Sequence, residues 1–149
     1  MNAIQDYYPK GYGHCYGCGN DNPRGHKLKS YLVENRVVAT FKAHPMYSGG
    51  FPDNAYGGLL ASLLDCHGIA TAAAFAQRAQ GKNFDEPIGR FVTGSLKVDF
   101  KRPTPLGVEL ELEGTLRSLE GRKAIVDLKL VANGEVCVTG EMLAIQLKT

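Results

Sequence analysis

One carboxylate stands inside the most apolar helical stretch of the chain. Asp65 lies in the run Gly57-Gly58-Leu59-Leu60-Ala61-Ser62-Leu63-Leu64-Asp65-Cys66-His67, among Leu59, Leu60, Leu63 and Leu64. Asp is a poor interior-helix residue because its short side chain competes for backbone hydrogen bonds, and burying its charge without a partner is costly. Two readings are open: an acid on the polar edge of the helix or paired with a base, and an acid retained for chemistry. The chemistry available to it is that of a general base toward water or of a nucleophile. Ser62, three residues earlier, shares that helix face and is expected to line the same pocket. Cys66 and His67 point away from it, since successive helical residues are turned by about 100°. Cys66 lacks a thiolate-stabilising cation, and His67 reads as packed more readily than as an extra base.

The other reactive side chains are cysteines. Cys15 and Cys18 form a Cys-x-x-Cys turn with His14 beside it and His26 downstream, while Cys137 falls in a strand pattern and belongs in a core. A structural zinc site needs two ligand pairs. The second is missing here unless His14 and His26 serve, so no metal ligand set is expected, and the two cysteines should line a tight turn.

The 149 residues suit one domain. Apolar content of 44% and charged content of 21% are those of a globular chain. A net charge of +2 without a dense basic stripe argues against nucleic acid as a partner. No uninterrupted apolar run approaches the roughly 20 residues of a membrane span, and residues 1–13 lack an apolar signal core. No membrane association and a cytoplasmic location are therefore expected.

The elements that must position Asp65 follow from pattern. Residues 1–27, rich in Gly, Tyr, Asn and Pro, read as an irregular arm, and residues 28–149 as the folded domain. Tyr31-Leu32-Val33 and Arg36 to Phe41 form a short hairpin around Glu34-Asn35. A long helix is expected from an N-cap at Asn54 to about Gln80, with Gly81 as its stop. After a loop over residues 82–87 the period changes to two: Val92 to Phe100, Val108 to Glu113, Ala124 to Val131 and Glu135 to Leu147 read as strands, the last two joined by an Asn133-Gly134 hairpin turn. Runs of antiparallel strands beside one segregated helix define an α+β fold, with a curved sheet wrapped around the helix.

Three segments resemble the hotdog fold, and specifically PaaI-like acyl-CoA thioesterases. The first is Gly50-Phe51-Pro52-Asp53-Asn54-Ala55-Tyr56-Gly57-Gly58, similar to the family loop that ends in His-Gly-Gly. The second is Asp65, eight residues after Gly57, where the family keeps its catalytic carboxylate. The third is Thr93 to Pro105, matching a strand that ends in Arg-Pro and a short turn. The arm from Cys15 to Gly25 resembles an N-terminal extension of some members. The resemblance implies an acyl-CoA thioesterase that needs no cofactor, acyl-CoA being the substrate. It also implies a homodimer, or a dimer of dimers making a homotetramer.

In that reading the catalytic residues are Asp65 as base or nucleophile, the Gly57 amide as oxyanion donor, and Thr93, aligned with a family Ser/Thr that assists the carboxylate. First-turn amides lack intrahelical partners and sit at the positive end of the helix dipole. Asn54, Tyr56, Gly58, Ser62, Lys101 and Arg102 are the expected substrate-binding residues, the last two as partners for coenzyme A phosphates. Phe51, Tyr56, Phe75 and Phe91 are candidates for an acyl pocket suited to small, medium or aromatic groups. Two positions depart from the family pattern: Tyr56 replaces its His, and Gly50 stands where several members carry an Asn, whose work Asp53 or Asn54 could take over.

Eight helical residues separate Gly57 from Asp65 by about 12 Å along the axis. One straight helix cannot bring both to one substrate carbon, so the site must combine Gly57 of one subunit with Asp65 of another. The competing functions are an acyl-CoA-binding protein without turnover and a hotdog hydratase or dehydratase.

Overall fold

In the computed structural model, which describes residues 1–85 and 87–148, the apolar run over residues 57–79 is the single α-helix among the described residues, α1 (Gly57–Ala79). Glu86, within the expected 82–87 loop, and Thr149, the end of the expected domain, lie outside the described residues. Strands β1 (Tyr31–Val33) and β2 (Arg36–Lys42) precede the helix. Strands β3 (Phe91–Phe100), β4 (Glu109–Glu120), β5 (Lys123–Ala132) and β6 (Glu135–Gln146) follow it. All six form one antiparallel sheet in the order β1-β2-β4-β5-β6-β3. This is the α+β hotdog architecture read from the sequence.

The alternating strands bury one face on α1. Along β5, Ala124, Val126, Leu128, Leu130 and Ala132 are buried while the residues between them are not. The β5–β6 turn is made by Asn133 and Gly134, both at positive φ (52° and 77°), the conformation a two-residue hairpin with type I′ geometry requires. Register shifts at Thr93/Ser95, Leu116/Ser118 and Leu130/Val131 mark bulges. Each bends its strand and adds twist, which lets the sheet curl around the helix.

The helix is covered on nearly every side, by the sheet and by the arm. Its most apolar 18-residue window has a mean hydropathy of 1.5 and is long enough to cross a membrane, which the sequence reading did not allow for; 83% of that window is buried inside the fold, as in a core helix. The arm is not a loose appendage. A 3-10 turn, Ile4–Tyr7, is tied to the chain at Ser30 by the Ile4 amide (2.8 Å), and Ile4, Cys18 and Leu28 join the core around α1.

The start of α1 differs from expectation. Asn54 is not the N-cap. The loop before the helix is held extended by Ala55 N–H donating to the Thr104 carbonyl (2.8 Å) and Tyr56 N–H donating to the Tyr47 carbonyl (2.9 Å). Asn54 itself bridges Pro105 across the same seam. Helical geometry therefore begins only at Gly57, with Tyr56 as N-cap and no side-chain cap hydrogen bond. Among the described residues no side chain claims the first-turn amides of α1.

Candidate active site

Asp65 sits half-buried on α1, on the side facing the edge strand β3. The Thr93 hydroxyl donates a 2.6 Å hydrogen bond to Asp65 Oδ1. Thr93 holds that position because the β3–β6 register slips between Thr93 and Ser95, and a bulge re-aims the side chains beside it. The carboxylate has no basic ion-pair partner among the described residues. Asp65 is thus a half-buried acid oriented by a neutral hydroxyl and not by a base.

A cleft of about 640 Å³ lies at the other end of the same stretch of helix. One wall is the loop from Gly49 to Tyr56 with Gly57 and Leu60, and the other is Phe100 to Thr104. Gly57 faces the Phe100 ring so closely that a β-carbon there would stand 3.2 Å from it. A β-carbon on Gly58 would meet the Tyr56 ring at 2.7 Å, so the ring folds back over the first helical turn. Asn54, Tyr56, Lys101 and Arg102 line the cleft as the sequence suggested; Gly58 lies exposed beside it. The Arg102 guanidinium is paired with the exposed carboxylate of Glu135 at 3.1 Å. Within one chain the cleft includes Gly57 but neither Asp65 nor Thr93.

Several expected residues fall elsewhere. Ser62 does not line the cleft; its hydroxyl donates to the Leu59 carbonyl (2.7 Å), the usual back-bond of a helical serine. Phe91 is fully buried and Phe75 nearly so; of the four aromatics expected there only Phe51 and Tyr56 line the cleft, joined by the exposed Phe100. His67 is a buried structural residue. Its Nε2–H donates to the Val37 carbonyl (2.8 Å), so Nδ1 accepts from the Ser30 hydroxyl (2.9 Å). Gln5 closes the network on Ser30. Burial pushes the His67 imidazole down to about 4, so it is neutral near pH 7.

His14 and His26 are not companions of the arm cysteines: His26 packs edge-on against Tyr16, Phe41 and Tyr47. Cys66 stands with the cysteines instead, its Sγ 3.6 Å from that of Cys15. Two cleft residues were missed by sequence reasoning. Phe100 covers Gly57, and the buried Thr104 hydroxyl has no hydrogen-bond partner. The Pro103-Thr104-Pro105 frame, which lets a lone polar residue face inward from a turn, was the available signal for Thr104.

A family model described as the thioesterase superfamily matches residues 53–139, more than half of the chain. The chain belongs to the thioesterase superfamily. A solved thioesterase superfamily protein from Shewanella loihica is 40% identical, with a TM-score of 0.70 over 92% of this chain and 96% of that one. The PaaI protein of the E. coli phenylacetic acid degradation operon has the same fold, with a TM-score of 0.68 at 16% identity over 83% and 81% of the two chains. An acyl-coenzyme A thioesterase THEM4 from Xenopus laevis is 27% identical over 116 residues, 78% of this chain. This thioesterase-superfamily chain spans 46% of that relative's length. The matched region contains Gly57, Asp65, Thr93 and the cleft residues from Asn54 to Thr104.

Proposed function

We propose that the chain hydrolyses acyl-CoA thioesters, with Asp65 as general base or nucleophile and the Gly57 amide of a second copy as oxyanion donor. The observation that carries this reading is the Thr93–Asp65 bond on the flank of a helix whose first-turn amides no side chain among the described residues caps. As base, Asp65 takes a proton from water while the water oxygen bonds to the thioester carbon. The negative charge that develops on the carbonyl oxygen is met by the Gly57 N–H. Collapse of the tetrahedral species breaks the C–S bond, and the coenzyme A thiolate leaves with the acid as the other product. As nucleophile, Asp65 would form an acyl anhydride that water then opens. Thr93 fixes the carboxylate in either case. Lys101 and Arg102 at the cleft rim suit the coenzyme A phosphates, Arg102 by exchanging its Glu135 partner for phosphate oxygens. Phe51 and Tyr56 favour an acyl group with an apolar or aromatic face.

The same reading calls for a homodimer. The edge strand β3 is ten residues long and carries exposed Val92 and Phe100. Such an edge is a template for pairing with another chain. Pairing of β3 with its own copy runs antiparallel, which turns the Thr93 end of one strand toward the Phe100 end of the other. The acid of one copy then approaches the Gly57 cleft of its neighbour, as the 12 Å estimate along one helix demands.

Release of free thiol from a panel of acyl-CoAs tests this, with wild type and Asp65→Ala side by side. Turnover abolished in Asp65→Ala is expected, and turnover that survives it refutes the mechanism. Tight acyl-CoA binding without thiol release by the wild type would instead mark a binding protein, and conversion of an enoyl-CoA without free thiol a hydratase.

A further inference from the structure

Fifty-one residues separate Cys15 from Cys66, yet Cys15, Cys18 and Cys66 place their sulfurs within 4.8 Å of one another. Cys18 and Cys66 are buried and Cys15 closes the group on the solvent side. Two ligands bound at ~2.3 Å with a tetrahedral angle lie about 3.8 Å apart. The Cys15–Cys66 separation of 3.6 Å is of that size, whereas a disulfide holds its sulfurs at ~2.05 Å. The chain is shaped for this meeting. Gly17 runs so close to the helix that a β-carbon would stand 2.3 Å from Cys66 Sγ.

A second observation points the same way. The Tyr8 hydroxyl is buried without a hydrogen-bond partner and lies within the electrostatic reach of all three sulfurs. Arg90 stacks on the Tyr8 ring at 4.5 Å, which brings a cation to the same corner of the fold. Three uncharged thiols need neither a nearby cation nor a spare donor. A negatively charged metal–thiolate group uses both.

We propose that Cys15, Cys18 and Cys66 bind one soft d10 metal ion, zinc in the first instance, with an exogenous ligand such as water completing the tetrahedron. No fourth His, Cys, Asp or Glu donor joins the group among the described residues. Binding releases the three thiol protons to solvent and leaves three thiolates on a dication, a net charge of −1. The ion clamps the arm onto α1 at the residue next to Asp65. This site is independent of the thioesterase reading.

The test uses the full chain purified with reductant and without chelator, with metal content and cobalt spectra as readouts. About one zinc per chain is expected, and Co²⁺ exchange should give thiolate-to-cobalt charge-transfer absorption with intense tetrahedral bands. Cys15→Ser changes an exposed residue of the arm, so it should fold. It should lower metal affinity at least ~10-fold, while Cys137→Ser, buried in β6, leaves it unchanged. Wild type that retains no zinc and gives no cobalt–thiolate band with its thiols reduced overturns the proposal. So does full metal binding by Cys15→Ser, or a disulfide among the three cysteines found in place of metal by peptide mapping.

Discussion

Thr93 Oγ1 and Asp65 Oδ1 stand 2.6 Å apart across the seam between the edge strand and the core helix. An O–H donor to a carboxylate at that distance fixes which oxygen carries the free lone pairs. Thr93→Val keeps the shape and removes the donor. A bond to a charged group contributes about 1.5–3 kcal/mol when sheltered; at this exposed position the low end applies, so kcat should fall about 10-fold. KM should hold steady, and Thr93→Ser should recover most of the rate. Steady-state kinetics on one acyl-CoA measures all three.

Gly57 is the first helical residue, and Tyr56 before it has φ −72° and ψ 147°. Proline suits the first helical position, and the residue before it prefers that extended geometry. Gly57→Pro should therefore fold while losing its amide, with kcat lowered roughly 10²–10³-fold, as for other single oxyanion donors. Circular dichroism and thiol release together check the pairing of intact fold with lost turnover. Gly57→Ala controls for bulk against Phe100.

Complementation separates a site within one chain from a site between two. Asp65→Ala and Gly57→Pro are each expected to be inactive alone. In a mixed dimer one of the two sites regains both intact groups. Random mixing at equal amounts makes half of the dimers mixed, so about one quarter of wild-type activity should return. No recovery after refolding the mixture together would place both groups in the same chain.

The long free edge predicts association. Val92→Asp puts a charge on the exposed face of β3, and like charges brought close across a twofold oppose pairing. Sedimentation should show wild-type dimers, or dimers of dimers, and Val92→Asp monomers, with thiol release lost alongside.

His67 gives a pH signature. Its folded pKa, about 4, lies below the ordinary value of 6.5 because burial disfavours the charged ring. The unfolded chain therefore takes up this proton first as pH falls. The stability this group contributes is complete above about pH 6.5, is lost on acidification, and levels off below about pH 4. The full loss is about 3 kcal/mol. Denaturant melts across that window measure the loss, and an NMR titration of the imidazole with a midpoint near 4, not 6.5, assigns it to His67.

What the sequence disclosed was local. Strict alternation in Val108 to Glu113 and the Asn133-Gly134 pair are short-range signals, and strands and turn stand where they pointed. Asp65 was legible because an acid among leucines violates the local pattern. Asn54 misled because cap preference is weak beside the backbone bonds from Ala55 and Tyr56 that hold the loop extended. His67 was read as packed, as it is, but the company that it and Cys66 keep could not be read. Their partners, Ser30 and Val37 for one and the arm cysteines for the other, are distant in sequence and leave no periodic trace.

The two margins of the sheet are unequal. β1 closes one side with three residues, while β3 offers ten on the other. Joining long margin to stub would repeat without end and build a fibre; joining long margin to long margin uses up the adhesive surface of both partners in one step. A chain paired in this second way would stop growing its sheet at two copies, and any larger assembly would have to form through surfaces other than the sheet margins.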